Sequence, residues 1–183
     1  QMPVMIGGDH SLTLGAIRAA RKHFPHLHLI HLDAHTDLRE DYLGDPLSHA
    51  SVIRRCHEEL GDGRIHSFGI RSGLAEEFQF AREHLDLRAF SLEGLGQLAQ
   101  VLGDTPVYLT LDLDVLDPSV LPGTGTPEPG GVSYRELLDA LKEASGFRIV
   151  GSDFMELAPR LDLSAASTAV ACKLLREWLL LIG

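Results

Sequence analysis

The chain has 183 residues, with 16 Lys and Arg against 26 Asp and Glu, a formal net charge of −10 with histidine counted neutral. That acidic balance argues against a nucleic-acid binder, and 44% hydrophobic residues argue against disorder and fit one globular domain, 1–183. Cys56 and Cys172 have no paired spacing, which excludes a disulfide scaffold and fits free thiols in a reducing cytoplasm. No apolar run approaches the roughly 18 residues of a membrane span, and Gln1-Met2-Pro3-Val4 lacks the pattern of a signal peptide, so neither membrane insertion nor export is expected. The unusual component is histidine, ten residues, several of them beside aspartate in the first third of the chain.

Short apolar runs alternate with amphipathic stretches along the chain. Strands are expected over Val4–Ile6, Leu27–Leu32, Ile65–Ile70, Leu87–Phe90, Val107–Leu111 and Phe147–Ser152. Helices are expected over Leu12–His23, Ser48–Leu60, Ala75–His84, Leu92–Leu102, Ser133–Ala144 and Ala165–Leu181. This βα rhythm, with nearly continuous apolar strands such as Val107-Tyr108-Leu109-Thr110-Leu111, predicts an α/β fold with a parallel sheet covered on both faces. Ser133 and Glu136 form a capping-box signature, and Gly61-Asp62-Gly63 and Gly146 read as helix stops. Val170, Leu174, Leu175 and Trp178 recur at helical spacing and read as core. The Gly- and Pro-rich segment Leu121–Gly131 reads as a shaped loop within the domain rather than a linker.

Polar clusters stand where strands end. His10 follows the first strand through Gly7-Gly8-Asp9; Asp33, His35 and Asp37 follow the second; Asp112 and Asp114 follow the fifth. Strand C-termini of an open parallel sheet share one edge, so these groups converge in one crevice. The i, i+2, i+4 spacing puts Asp33, His35 and Asp37 on one side of an extended segment, and likewise Asp112 and Asp114. Each group taken alone has an ordinary explanation: a polar strand exit, an Asx-rich turn before Pro118, or a helix start at His10 with Ser11 as cap. Together they assemble four carboxylates and two imidazoles. Bound cations relieve the repulsion among the carboxylates, and a carboxylate-rich set with some imidazole suits Mn²⁺ or Fe²⁺. Six ligands, two of them bridging, suffice for a metal pair at roughly 3.5–4 Å. The other histidines considered, His23, His26, His28, His57, His66 and His84, read as surface or satisfied core residues.

At these residues the chain resembles the ureohydrolase family of arginases and agmatinases, closest to the bacterial-type agmatinases. Gly7 to Ser11, Asp33 to Asp37 and Thr110-Leu111-Asp112-Leu113-Asp114-Val115-Leu116-Asp117-Pro118 match its three ordered metal signatures. The resemblance implies a three-layer α/β/α arginase-like fold. It also implies two Mn²⁺ per subunit, one held by His10, Asp33, Asp37 and Asp112 and the other by Asp33, His35, Asp112 and Asp114. In the implied reaction, water activated by the metals attacks a guanidinium carbon, Asp37 helps to hold the tetrahedral intermediate, and an amine leaves. Glu156 would pair with the guanidinium fork, although alone it also reads as an N-cap or surface acid. His49, in Ser48-His49-Ala50-Ser51, matches the proton-shuttle histidine, and Thr126, in the loop resembling the family's substrate loop, would hydrogen-bond the reacting group.

Leu38-Arg39-Glu40-Asp41-Tyr42-Leu43-Gly44-Asp45 lacks the Asn, Thr and Ser that hold the amino acid's carboxylate in arginases. Its acids would repel a carboxylate and tolerate a cationic tail. Agmatine, cleaved to putrescine and urea, is therefore the expected substrate; guanidinobutyrate or arginine is the alternative, because Arg39 offers a carboxylate a partner. The family's sheet has eight strands, and this sequence supplies six, beginning just before the first metal signature. That shortfall suggests an N-terminally truncated domain and leaves a non-catalytic metal-binding homologue as a competing reading. An amide deacetylase on the related fold is disfavoured by Glu156. The resemblance also implies a trimer or hexamer.

Overall fold

The computed structural model describes residues 2–183. Its strands are β1 (Val4–Ile6), β2 (His28–Leu32), β3 (Ile65–Ile70), β4 (Asp86–Ala89), β5 (Pro106–Asp112) and β6 (Arg148–Met155). Its helices are α1 (Thr13–His23), α2 (Val52–Leu60), α3 (Ala75–His84), α4 (Leu95–Leu102), α5 (Tyr134–Ala144) and α6 (Ala166–Ile182). All strand pairs are parallel, in the order β1-β6-β5-β2-β3-β4. The α/β fold with a parallel sheet is as expected.

Two apolar cores flank the sheet. Ile30, Leu32, Leu109 and Leu111 pack with Leu95 of α4, Leu137 of α5, and Leu174 and Trp178 of α6. Leu29, Ile65 and Tyr108 pack with Ile17 of α1, Ile53 and Cys56 of α2, and Ala81 of α3. Neighbouring residues of one strand thus enter opposite cores, which requires apolar residues on both faces and makes three layers. The last helix buries Leu174 and Trp178 completely, while Val170 and Leu175 pack partly exposed against the same core. Cys56 is buried, Cys172 is exposed, and neither is in a disulfide. Among the described residues no helix is long and apolar enough to cross a membrane.

Boundaries differ where local chemistry overrides apolar periodicity. The fourth helix starts at Leu95 rather than Leu92, because Gly94 takes a left-handed backbone with φ 98°. Single 3-10 turns precede α1 and α2, at His10–Leu12 and His49–Ser51. The cap of the first turn is Asp9, whose carboxylate accepts from the Ser11 N–H at 2.9 Å, and not Ser11. At Gly146 the φ is not positive, and α5 is capped at Ser145. The expected capping box of Ser133 and Glu136 is present in both directions. The sixth strand runs on to Met155 because β1 and β5 pair with it on both sides there.

Trp178 anchors α6 to the sheet, its indole N–H donating to Ser152 Oγ at 2.9 Å in a fully buried setting. Truncating it opens a large cavity and strands that hydroxyl. Trp178→Ala is expected to cost about 3–5 kcal/mol of unfolding free energy in urea titration, and a loss below about 1 kcal/mol would contradict this packing.

Candidate metal centre

The chain leaves β2 in one direction toward β3 and β4, and β5, on the other side of β2, leads back toward β6. Loops at such a reversal diverge and leave a crevice at the C-terminal edge. Asp33, His35 and Asp37 enter it from β2, Asp112 and Asp114 from β5, and His10 and Glu156 from the adjacent pair β1 and β6. Their common cavity has a volume of about 310 Å³ and is lined by His10, His35, Asp37, Asp112, Asp114, His49, Thr126 and Glu156, among others. Asp33 is fully buried beneath it.

The expected convergence is present, but not wholly by extended geometry. Strand-like pairing continues past β2, with Thr36 N–H donating to Ser72 C=O at 3.1 Å. Asp37 then turns into the left-handed region with φ 51°, and its carbonyl accepts the N–H groups of Ile53 and Arg54, at 3.0 and 3.1 Å, in the first turn of α2. Those free helix donors hold the strained residue in place. After β5 the chain enters a 3-10 turn, Leu113–Val115, in which Asp112 Oδ1 accepts from Asp114 N–H at 2.8 Å. Asp112 and Asp114 therefore meet through a turn and not along a strand.

His10 Nδ1 lies 3.2 Å from Asp33 Oδ2, 3.3 Å from Asp37 Oδ2 and 3.2 Å from Asp112 Oδ2. It is buried, yet makes no hydrogen bond with any of them. On the other side His35 Nδ1 lies 2.9 Å from Asp114 Oδ2, which is likewise buried without a hydrogen bond, and 3.5 Å from Asp33 Oδ1. Two ligand groups result, one of His10, His31, Asp33 and Asp37 and one of Asp33, His35 and Asp114, with the ligand atoms of each within 4.8 Å of one another. Asp33 belongs to both groups. Buried lone pairs that face one another without a hydrogen bond are the arrangement a cation satisfies.

Charge follows the same geometry. Burial raises the Asp112 carboxyl well above the ordinary range, and the charges of Asp114 and Asp33 raise it further. Burial and Asp33 push Asp37 and Asp114 up as well. At His35 burial opposes the charged form, but Asp114 and Asp33 outweigh it and lift the imidazole to about 11. His10 also rises, with Asp112, Asp33 and Asp37 overcoming its burial. These shifts favour the protonated forms at the positions where cations would bind.

Four side chains outside the expected set support the cluster. His31 Nε2 lies 2.8 Å from Asp33 Oδ2, and its Nδ1 lies 3.0 Å from Ser67 Oγ. It stands two residues before Asp33 on the same strand, so the alternation used for the other ligands could have found it. Asp153 is fully buried and accepts hydroxyl hydrogen bonds from Thr110 (2.6 Å), Tyr108 (2.9 Å) and Thr13 (3.0 Å). Because Thr110 donates to Asp153, its oxygen accepts from His10 Nε2 at 2.8 Å, which leaves Nδ1 of neutral His10 as a lone pair facing the carboxylates. Arg71 binds the carbonyls of Asp114 and Glu128, at 2.7 and 2.8 Å, and so pins the turn after β5 to the Gly- and Pro-rich loop. Glu77 accepts from Thr36 Oγ1 and Leu38 N–H, at 2.8 and 3.0 Å, and fixes the segment around Asp37. No local sequence pattern marks Arg71 or Glu77 for these partners, which lie far off in the chain.

The remaining expected residues surround the cluster. Glu156 takes a left-handed backbone with φ 62°, and its Oε1 accepts the His10 N–H at 2.6 Å. Burial raises its carboxyl, against the pull of that N–H. His49 lies toward the solvent side, its Nδ1 3.6 Å from Asp9 Oδ2. Thr126 is exposed on the rim.

Removing the orienting groups is expected to loosen the cluster. His31→Asn and Asp153→Asn should each weaken Mn²⁺ binding by roughly 10- to 100-fold in equilibrium dialysis, and wild-type affinity in both would exclude a supporting role. The raised imidazoles and carboxyls favour protons, with which a bound ion competes. Mn²⁺ added near pH 7 should therefore release protons into a weakly buffered solution, and its affinity should rise from pH 6 to pH 8; uptake without proton release would contradict this.

The sequence profile of the arginase family matches residues 1–181. The agmatinase of Bacillus cereus is 45% identical over 184 residues, covering 98% of this chain and 63% of the relative. The guanidinobutyrase of Pseudomonas aeruginosa is 33% identical over 191 residues, covering 97% of this chain and 60% of the relative. A solved structure from Clostridium difficile superposes with a TM-score of 0.97 at 47% identity, covering all of this chain and 67% of the other. The chain thus spans less than two thirds of the length of these two curated relatives. Over that span, the chain belongs to the arginase family.

Proposed function

We propose that the chain is a dimanganese amidinohydrolase that cleaves the guanidino group of agmatine to putrescine and urea. The observation that carries this reading is the pair of buried, unbonded ligand atoms, His10 Nδ1 and Asp114 Oδ2, in the cavity that Glu156 also lines. The donor set fits the metal: the ligand groups consist of aspartates and histidines with no thiolate, and Asp112 Oδ2 adds a further carboxylate 3.2 Å from His10 Nδ1. His10, Asp33, Asp37 and Asp112 would hold one Mn²⁺, and Asp33, His35, Asp112 and Asp114 the other. Bound there, the ions supply Lewis acidity and lower the pKa of water.

The chain's own residues supply recognition and proton transfer. Glu156 Oε1 is occupied by the His10 N–H, which leaves Oε2 to accept from the planar guanidinium. The Asp37 carboxylate accepts from the reacting group as its carbon becomes tetrahedral. His49, at the border of cavity and solvent, hands a proton to the departing amine. The Thr126 hydroxyl meets the reacting group at the rim.

Agmatine is favoured over a substrate with a carboxylate tail by the state of Arg39. Its Nε lies 3.9 Å from Glu77 Oε2, and its guanidinium sits 5.1 Å from the centre of the Tyr42 ring. A carboxylate would have to draw it away from both, whereas Glu77, which lines the same cavity, offers an amine tail a partner; the loop acids expected to do so do not line it, Glu40 pairing with Arg54 and Arg55 instead. The similarity to an agmatinase supports the same choice. A homo-oligomer, trimer or hexamer, belongs to this reading through the family resemblance, and a cytoplasmic setting through the two free cysteines.

The Mn²⁺-loaded chain is expected to release urea from agmatine, and faster than from guanidinobutyrate or arginine. Glu156→Gln should lower kcat/KM by about 10- to 100-fold while metal content is retained. Absence of urea release from all three compounds by folded, metal-loaded protein would overturn the proposal in favour of a non-catalytic metal-binding protein.

A further inference from the structure

The opposite edge of the sheet carries a second cluster of ligating side chains, which the reaction above does not use. His57 lies in the last turn of α2, Asp62 in the turn between α2 and β3, and His84 at the end of α3. Gly61 and Gly63 flank Asp62 with φ values of 89° and 70° and let the chain reverse there. Asp62 Oδ1 lies 2.7 Å from His57 Nε2 and 2.8 Å from His84 Nδ1, so two imidazoles from different helices share one carboxylate oxygen. The Gly63 N–H donates to the His84 carbonyl at 2.9 Å and ties the turn to α3.

Several features make the cluster suited to a cation and not only to hydrogen bonding. Its three ligand atoms all lie within 4.8 Å of one another. Both imidazoles stand at helix C-termini, where the helix dipole favours positive charge. The ring of Phe80 packs at 5.0 Å from His57 and 4.3 Å from His84 between ring centres and limits their rotation. Asp62 is 69% exposed, which leaves the outer side open to water as a further ligand. Two nitrogens and one oxygen form a softer set than the carboxylate-rich centre, and that composition suits zinc and related divalent ions.

We propose that His57, Asp62 and His84 form a surface site for one zinc-class divalent ion, separate from the carboxylate-rich centre, and that its occupancy clamps the α2–β3 turn to the end of α3. A bound ion replaces the hydrogen bonds to Asp62 with ligand bonds from the same three side chains, so the fold need not rearrange to accept it.

The test uses the full chain saturated with Mn²⁺ and then titrated with Zn²⁺. Zinc content after dialysis should be lower by one ion per chain in Asp62→Asn, and in the double variant His57→Asn with His84→Asn, than in wild type, with manganese content unchanged. Carbethoxylation of His57 and His84 in the wild-type chain, mapped by peptide mass spectrometry, should fall at least tenfold on zinc addition. This second measurement does not depend on any variant folding. Unchanged labelling of both histidines by saturating zinc would overturn the proposal, as would equal zinc content in wild type and folded variants.

Discussion

Four buried aspartates within one crevice are the constraint on which the rest of the structure depends. Removing a carboxylate from water costs several kcal/mol, and Asp33, Asp37, Asp112 and Asp114 repel one another besides. Positive charge has to stand among them. The same charges raise the imidazoles of His10 and His35, and a divalent pair would supply the positive charge in the proposed enzyme.

Holding the cluster open to a small substrate takes a second ring of contacts. His31 aligns Asp33, the Thr110–Asp153 pair sets the tautomer of neutral His10, and Arg71 and Glu77 secure the loops from which Asp114 and Asp37 project. Asp37 and Glu156, both with positive φ, sit where neighbouring hydrogen bonds over-determine the backbone. Strain at two residues of one cavity, each held by a helix start or a strand end, is what a pre-formed site requires.

The two edges of the sheet are chemically distinct for a topological reason. Loops at the C-terminal edge carry the carboxylate-rich cluster at the point where strand order reverses. Around the N-terminal edge lie the turns that bring in the imidazoles His57 and His84. His28 and His66 extend this side, with His28 Nδ1 3.1 Å from His66 Nε2 and with burial, then His66 and Arg64, pushing His28 down to about 4. Histidine, the excess noted in the composition, is thus divided between two separate environments.

The strands and helices were legible in the sequence because their apolar spacing is a local property that both cores then use. The six expected ligands were legible too, since each follows an apolar run and parallel strands bring their ends to one edge. Asp62 was legible only as part of a glycine-flanked turn, and His57 and His84 as ordinary helix residues; their meeting depends on how α2 and α3 pack. Arg71 and Glu77 were not legible at all, because hydrogen bonds to carbonyls and amides some 40 to 60 residues away leave no local pattern. The sequence by itself determined the element types, the parallel sheet and the chemical kinds of ligand. Tertiary structure alone decided that Asp112 meets Asp114 through a turn, that Asp153 orients His10 from beneath, and that Arg39 faces Glu77, since each depends on distances between segments that periodicity does not encode.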